Sequence, residues 1–189
     1  MTRVGLVGYG SSGAGFHAPL LREAGLDLVA VVSGNPERAD QARAENPGVV
    51  VVPDLAALVA VPDLDVVVVA SPSGRHVEHA EALLEAGIAV VVDKPIATDA
   101  HQAQGLVDLA AGRGVPLTVF QNRRYDPEFA TIRDLLHRRV LGELRRTEMR
   151  WDRWRPVPMG RWRERATAAE CGGVLRDLHT HLLDQVVLM

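Results

Sequence analysis

The chain has 189 residues, of which 47% are hydrophobic, and a net charge of −3. This length suits one domain or slightly more, and no run approaches the roughly 18 uncharged apolar residues of a membrane span. Cys171 is the only cysteine, which excludes an internal disulfide and a cysteine-based zinc site. The first residues enter a strand pattern with no signal-peptide core. We therefore expect a cytoplasmic protein with no membrane partner.

Positive charge is concentrated between Arg123 and Arg165, where there are 13 arginines and 7 acidic residues. Such a basic stretch indicates a nucleic-acid partner, a bound phosphate group or a solvated surface. The stretch contains no nucleic-acid-binding motif, so we expect no nucleic-acid partner. A nucleic-acid-binding module is the alternative, and it would show binding that depends steeply on salt.

Six short apolar runs in the first 122 residues predict β-strands that alternate with helices. Strands that are apolar throughout are typical of a parallel sheet covered on both faces. The runs are VGLVG at 4–8, LDLVAVVS at 26–33, VVVV at 49–52, DVVVVA at 65–70, IAVVVD at 88–93 and LTVFQN at 117–122. The alternation predicts a doubly wound α/β fold with right-handed crossovers over residues 1–121.

The pattern changes after Asn122. Residues 126–140 predict an amphipathic helix, 141–154 alternate like a strand with one solvated face, and 155–173 resemble a loop. A last helix is predicted over 173–189. A segment of this size does not easily form a core of its own. We therefore expect residues 122–189 to be the beginning of a second, α+β domain in a longer chain.

Gly8, Gly10 and Gly13 form a G-x-G-x-x-G motif between the first predicted strand and a helix. The first glycine permits the tight turn, the second lets a pyrophosphate approach the backbone, and the third allows close packing of helix on strand. The motif therefore predicts a Rossmann dinucleotide site, and a plain glycine-rich turn is the alternative. Pro19 should kink or restart the following helix.

The residues after the second strand bear on which dinucleotide binds. NAD sites usually carry an Asp or Glu there for the ribose 2′-hydroxyl, and this chain has Ser33. Ser33, Asn35 and Arg38 are suited to bind a 2′-phosphate instead. We expect NADP in preference to NAD. Glu37, which follows Pro36, is expected in the first turn of the next helix.

Lys94 is the only lysine among the 21 basic residues, all the others being arginine. A compact ammonium differs physically from a planar guanidinium, so this position predicts a need for lysine itself. Lys94 follows the fifth strand, between Asp93 and Pro95, at the edge where parallel sheets bind ligands. There it could polarise a substrate oxygen. A stray surface lysine is the alternative.

Asp177 and His181 are four residues apart on the last predicted helix and share one face, with Asp184 two turns beyond Asp177. A histidine beside a carboxylate makes a plausible acid–base unit near neutral pH. A solvated His–Asp pair is the alternative, and His179 is expected to point elsewhere. The spacing lacks a zinc-binding pattern, so no metal is expected.

Five motifs occur together in chain order. They are GYGSSG at 8–13, SPSGRH at 71–76, DKP at 93–95, QNRR at 121–124 and GGVLRDLHTHLLDQ at 172–185. Together they resemble the glucose–fructose oxidoreductase and inositol dehydrogenase family of NAD(P)-dependent sugar oxidoreductases. FHAPLL at 16–21 and FQNRRYDPEF at 120–129 are most similar to its NADP-preferring scyllo-inositol dehydrogenase-like branch. The family usually has Glu-Lys-Pro where this chain has Asp-Lys-Pro.

The resemblance implies hydride transfer between NAD(P) and a CH–OH group of a sugar or cyclic polyol. It implies that Lys94, Asp177 and His181 are catalytic, that Asn122 and Arg123 join them in binding substrate, and that the full-length form is a homo-oligomer. The residues expected to contact the cofactor are Gly8, Gly10, Ser11, Ser12, Gly13, Ser33, Asn35, Arg38, Ser71, Pro72, Ser73, His76, Asp93, Lys94 and Asn122. A non-catalytic NAD(P) sensor or an inactive fragment on the same fold is the alternative.

Overall fold

The computed structural model describes residues 1–152, 154, 156–157, 160, 162–167 and 170–189. These residues form two compact units, Met1–Phe120 and Gln121–Met189. The boundary lies one residue before the expected one. No helix within the described ranges is long and apolar enough to cross a membrane.

Six parallel strands form one sheet in the first unit, in the order β3-β2-β1-β4-β5-β6. The strands are β1 (Arg3–Val7), β2 (Asp27–Val32), β3 (Val50–Val52), β4 (Val66–Val69), β5 (Ala89–Asp93) and β6 (Leu117–Phe120). Five of the six predicted runs contain one strand each, and the run at 4–8 overlaps β1 at all but its first residue, so the predicted parallel sheet is confirmed. The chain proceeds outward from β1 to β3 and then returns to β4 beside β1. Ligands of such sheets bind at this switch point.

Five α-helices connect these strands: α1 (Ala18–Glu23), α2 (Pro36–Glu45), α3 (Leu55–Val59), α4 (His76–Glu85) and α5 (Ala100–Arg113). Asn35, Asp54 and Asp99 cap α2, α3 and α5, because each side chain accepts a backbone N–H at 2.8–2.9 Å. Pro19 lies in the first turn of α1, directly after a π-helical turn, Gly13–His17. The π-helical turn therefore ends two residues before this proline, and the chain continues into α1 without a break.

The core of the first unit lies on both faces of the sheet. Successive residues of a strand point to opposite faces. Val7 and Val67 pack in one cluster with residues of α3, α4 and α5, whereas Leu6 and Val68 pack in a second cluster with residues of α1 and α2. Since helices cover both faces, the first unit is a doubly wound α/β fold.

The described part of the second unit is helical. It contains α6 (Pro127–His137), α7 (Trp162–Arg165) and α8 (Thr180–Val187), with a 3₁₀ turn at Asn122–Tyr125 and a π-helical turn at Leu175–His179. The predicted helix over 126–140 is confirmed for 127–137. Phe129 is buried in it, but Ile132 is 39% exposed and Val140, just beyond its end, is 57% exposed.

The strand predicted over 141–154 is wrong for the residues that the structure describes there, none of which is in a strand. A strand needs a neighbour to satisfy its backbone donors and acceptors. The described residues of 121–189 offer no other strand as a neighbour. Residue 153 of this segment lies outside the described residues, as do 155, 158, 159, 161, 168 and 169 of the predicted loop.

Candidate functional site

The three motif glycines follow β1 in a loop that is crowded at both ends and open in the middle. Gly8 has φ +98°, and a Cβ there would lie 3.0 Å from the Ala70 carbonyl oxygen. A Cβ on Gly13 would lie only 2.1 Å from the Gly8 carbonyl oxygen. A Cβ on Gly10 would meet, among described residues remote in the chain, only the Arg38 guanidinium, 3.6 Å from Nη1. This loop fits a pyrophosphate, because bare backbone is open to a ligand at Gly10.

The polar residues after β2 lie beside this loop. Asn35 caps α2, since its Oδ1 accepts the Arg38 backbone N–H at 2.9 Å, and the Ser33 hydroxyl donates to the Asn35 carbonyl oxygen at 3.2 Å. Glu37 lies in the first turn of α2, as expected. The structure therefore brings Arg38 to Gly10 and places Ser33 and Asn35 in the adjoining turn.

The helix after the glycine loop begins with a π-helical turn that the sequence did not predict. The Ala18 N–H donates to the Gly13 carbonyl oxygen, five residues back. Because one such turn spans five residues, Ser12 and His17 lie on the same side of the helix. In a regular α-helix they would be about 140° apart.

Ser12 and His17 both bind Asp93, the last residue of β5. The Ser12 hydroxyl donates to Asp93 Oδ2 at 2.5 Å, and His17 Nε2 lies 2.8 Å from Oδ1. Burial disfavours ionisation of Asp93, but the hydrogen bonds from His17 and Ser12 outweigh it, so the pKa of Asp93 lies below its usual range. The ionised carboxylate only accepts, so Nε2 carries the proton.

His17 was missed by the sequence reasoning. It is 4% exposed, and its ring packs against Phe120 at the end of β6, with the ring centroids 4.6 Å apart. Phe120 is the register partner of Asp93 in the sheet. His17 therefore packs against the ends of both β5 and β6. Its spacing of five residues from Ser12 would indicate that the two side chains share a partner only if the π-helical turn were already known.

His76 joins the loops that follow β4 and β5. Its Nδ1 lies 2.7 Å from the Pro95 carbonyl oxygen and its Nε2 lies 2.9 Å from the Ser71 carbonyl oxygen, and the residue is 1% exposed. Both ring nitrogens therefore face backbone carbonyl oxygens at hydrogen-bond distance. The His76 side chain links Ser71 to the segment after Lys94, and its contact with the cofactor stays a prediction.

The other predicted contacts after β4 surround a short 3₁₀ turn, Ser73–Arg75. Ser73 is buried, Pro72 is exposed, and the Ser71 hydroxyl lies 2.9 Å from His79 Nδ1. Burial, followed by the charge on Arg75, lowers the pKa of His79. The Ser71 hydroxyl can donate to Nδ1 of a neutral His79. A side chain of α4 therefore holds the loop that follows β4.

Lys94 is half-buried and follows β5 directly. The Lys94–Pro95 peptide bond is cis. The side chain before it, Asp93, is held by Ser12 and His17, and the carbonyl after it, at Pro95, contacts His76. Asp93 and Pro95, the residues on either side of Lys94, are thus each held by side chains from other parts of the first unit. Ser11, the remaining predicted contact, is exposed at the start of the helix.

In the second unit, Trp151 lies between two predicted site residues. The ring centroid of His181, which is 6% exposed in α8, lies 5.8 Å from that of Trp151. The Arg123 guanidinium lies 4.6 Å from the Trp151 ring centroid, and Arg123 also donates to Asp126 at 2.8 Å. Asn122, half-buried, begins the 3₁₀ turn that carries Arg123. Arg123 and His181 are therefore brought together by an aromatic residue that sequence reasoning did not single out.

Asp177 is half-buried in the π-helical turn Leu175–His179, directly before the helix that carries His181. Asp184, which the sequence places two turns beyond Asp177, pairs with an arginine of the second unit. Its carboxylate accepts two hydrogen bonds from the Arg124 guanidinium, at 2.6 and 2.8 Å. These hydrogen bonds raise the pKa of Arg124. Asp184 therefore serves to attach α8 to the turn at Asn122–Tyr125.

Two observations bear on metals and thiols. Across the described ranges, no group of three or more His, Cys, Asp or Glu residues could hold a metal ion. Cys171 is buried with φ +61°, and burial raises the pKa of its thiol. A raised pKa keeps a thiol protonated, which is the less nucleophilic form.

Two family models match the chain. Residues 2–121 match the GFO/IDH/MocA model described as an oxidoreductase family with an NAD-binding Rossmann fold. Residues 129–189 match the GFO/IDH/MocA C-terminal domain. The two matches fall on the two compact units.

Known proteins are similar to this chain over almost all its length. The uncharacterized oxidoreductase YdgJ of Escherichia coli is 41% identical over 99% of the chain, which covers 53% of that protein. The scyllo-inositol 2-dehydrogenase (NADP(+)) IolW of Bacillus subtilis is 36% identical over 98% of the chain and 51% of that protein. The solved structure of an NAD-binding protein from Listeria innocua has a TM-score of 0.89 and 30% identity over 98% of the chain and 54% of that structure. The chain spans about half the length of these relatives.

Proposed function

Because the chain belongs to the GFO/IDH/MocA family of oxidoreductases, with an NAD(P)-binding Rossmann domain, we propose that it transfers a hydride between NADP and a CH–OH group of a sugar or cyclic polyol. The similarity to a scyllo-inositol 2-dehydrogenase supports this substrate class. The bound nicotinamide would supply or accept the hydride. Substrate binding and proton transfer are assigned to side chains of this protein.

The single observation that carries the proposal is the contact of Arg38 with the glycine loop. Its guanidinium would lie 3.6 Å from a Cβ on Gly10, next to the place where the pyrophosphate fits. The Ser33 hydroxyl stands where NAD sites usually have a carboxylate, so no negative charge at that position repels a phosphate. A guanidinium and a hydroxyl at this place favour the 2′-phosphate of NADP.

Fluorescence titration with NADPH and NADH tests this assignment. We expect the chain to bind NADPH more tightly, and Arg38→Ala to weaken NADPH binding about tenfold while leaving NADH binding nearly unchanged, since a charge-assisted hydrogen bond contributes about 1.5–3 kcal/mol. Arg43→Ala is the matched control, because Arg43 lies on the same helix but pairs with Asp40. Tighter binding of NADH would contradict the NADP preference.

Three side chains carry the proposed chemistry. The Lys94 ammonium donates to the substrate oxygen and stabilises negative charge that develops there. His181 accepts the hydroxyl proton during oxidation and returns it during reduction, and Asp177 orients the imidazole. Asn122 and Arg123 contribute to substrate binding. Lys94→Arg should lower kcat by about a hundredfold or more with scyllo-inositol and NADP⁺, because a guanidinium is larger and planar. Near-normal turnover of that variant would remove Lys94 from the mechanism.

A nucleotide-binding protein without turnover is the second candidate. Its support is that the residues assigned to the nucleotide, the glycine loop and Arg38, all lie in the unit that forms the six-stranded sheet. Tight NADPH binding without any oxidation of scyllo-inositol or other polyols would favour it. A cytoplasmic location and a homo-oligomeric full-length form stay predictions. Light scattering would measure the molar mass of the full-length form and so test the second.

A further inference from the structure

Asp93 directly precedes Lys94, and each of its two carboxylate oxygens is hydrogen-bonded to another side chain. Asp93 Oδ1 contacts His17 Nε2 at 2.8 Å, and Oδ2 accepts from the Ser12 hydroxyl at 2.5 Å. The Asp93 side chain is 15% exposed and that of His17 is 5% exposed. Ser12 lies within the glycine loop and is the N-cap residue of the π-helical turn, and His17 is the last residue of that turn. The position of Asp93 is therefore set by the loop on which the pyrophosphate fits.

We propose that His17 and Asp93 are positioning residues that fix Lys94 and couple it to the glycine loop. This inference rests on the proposed function, in which Lys94 acts on the substrate oxygen. His17 touches neither the substrate nor the cofactor in this assignment and acts only through Asp93.

The coupling follows from the covalent connections on both sides of the contact. Ser12 lies between Gly10 and Gly13, so a shift of the loop moves the donor to Asp93 Oδ2. Asp93 precedes Lys94 by one peptide bond, so a rotation of its carboxylate is transmitted to the backbone that carries the ammonium. His17 limits both movements, because its ring is packed against Phe120 and its Nε2 is directed at Asp93.

The same contacts solve an electrostatic difficulty. A carboxylate one residue before the catalytic lysine and beside a dinucleotide site would repel the phosphates of the cofactor. Two donors hold both oxygens of Asp93 against the protein. The two donors thus keep a negative charge close to Lys94 while each carboxylate oxygen of Asp93 is occupied by a protein hydrogen bond.

The experiment uses the fact that Lys94 is the only lysine of the chain. Labelling with [ε-¹³C]lysine gives one side-chain resonance, which reports on Lys94 alone, and its change on addition of NADPH measures the coupling. His17→Phe keeps a planar ring but removes the donor to Asp93. His17→Gln keeps an N–H donor. Asp54→Ala is the control, because it removes only the N-cap of α3, where Asp54 accepts the Ala57 N–H at 2.8 Å.

We expect His17→Phe to move the Lys94 resonance of the free protein and to weaken NADPH binding about threefold or more, the range of coupling within one hydrogen-bond network. His17→Gln should restore most of both. Asp54→Ala should lower Tm but change neither the resonance nor NADPH binding. A purely structural role for His17 would give the pattern of Asp54→Ala, and that result would overturn the inference.

Two further outcomes keep the inference separate from the proposed function. If the unmodified chain binds neither NADPH nor NADH, the proposed function fails, but the Lys94 resonance of the free protein still decides whether His17 positions it. If His17→Phe does not fold, Ser12→Ala removes the other donor to Asp93 with a much smaller change in volume. An unmoved Lys94 resonance in a folded Ser12→Ala would contradict the coupling to the glycine loop.

Discussion

Alanine at Gly13 should destabilise the first unit, because the added methyl group has no room. Its Cβ would lie 2.1 Å from the Gly8 carbonyl oxygen, more than 1 Å inside ordinary van der Waals separation. The neighbour is backbone, so relief requires a shift of strand against helix and costs about 3 kcal/mol. Alanine regains about 1 kcal/mol in helix propensity. The net loss of about 2 kcal/mol should lower Tm by roughly 8 °C in a unit of this size.

Gly15 provides the matched control, two residues further along the same helix. A Cβ there meets no described atom within 4 Å outside its neighbours and its own helix. Gly15→Ala should therefore raise the free energy of unfolding by about 0.5–1 kcal/mol through helix propensity alone. Thermal unfolding followed by circular dichroism measures both variants. A Gly13→Ala protein as stable as the unmodified chain would refute the steric reasoning.

Three other substitutions test contacts described above. Tyr9→Phe removes the hydroxyl that donates to Glu45 at 2.7 Å, so it should cost about 1 kcal/mol in denaturant unfolding. The pKa of Asp93 is lowered in the folded state. Its contribution to stability is therefore present above the unfolded pKa of about 3.9 and is lost as the pH falls through the lower folded pKa. Asp93→Asn should flatten the acid side of a plot of Tm against pH, and an unchanged acid side would contradict this. Arg124→Ala breaks the two hydrogen bonds to Asp184, but Arg124 is 42% exposed, so the loss should be about 1 kcal/mol or less. A larger loss would mean that the pair is shielded from solvent.

The sheet could be predicted from the sequence because each strand is buried on both faces. Such strands are uninterrupted apolar runs, and glycine or a helix cap marks most of their ends. The cap residue Asn35 and the stop at Gly114 are local signals, which is why the bounds of α2 and α5 follow from short segments. The run at 141–154 has a strand-like alternation, but alternation is only half of the requirement. The other half is a neighbouring strand, which the segment itself does not encode.

The candidate site could be proposed from the sequence where residues form a local motif, and not where they act through packing. Gly8, Gly10 and Gly13 form a motif within six successive residues, whereas Arg38 lies on α2 and comes near Gly10 because β1 and β2 are neighbours in the sheet. His17 could not be found in this way, since helical periodicity places it on a different side from Ser12. His76 was found, but its contacts to two carbonyl oxygens depend on the distance between the loops after β4 and β5, which is a tertiary property.

The five-residue turn at Gly13–His17 makes chain length, as well as residue identity, a determinant of this site. A π-helical turn is one residue longer than the α-helical turn it replaces. Deleting Gly15, which has open space around it, would let the turn relax to regular α-helix without removing any side chain that binds Asp93. Ser12 and His17 would then be four residues apart in a regular α-helix, about 40° apart around its axis and still on the same side. The π-helical turn therefore compensates for one extra residue between Ser12 and His17, and their contacts with Asp93 depend on the number of residues between them together with the type of helix.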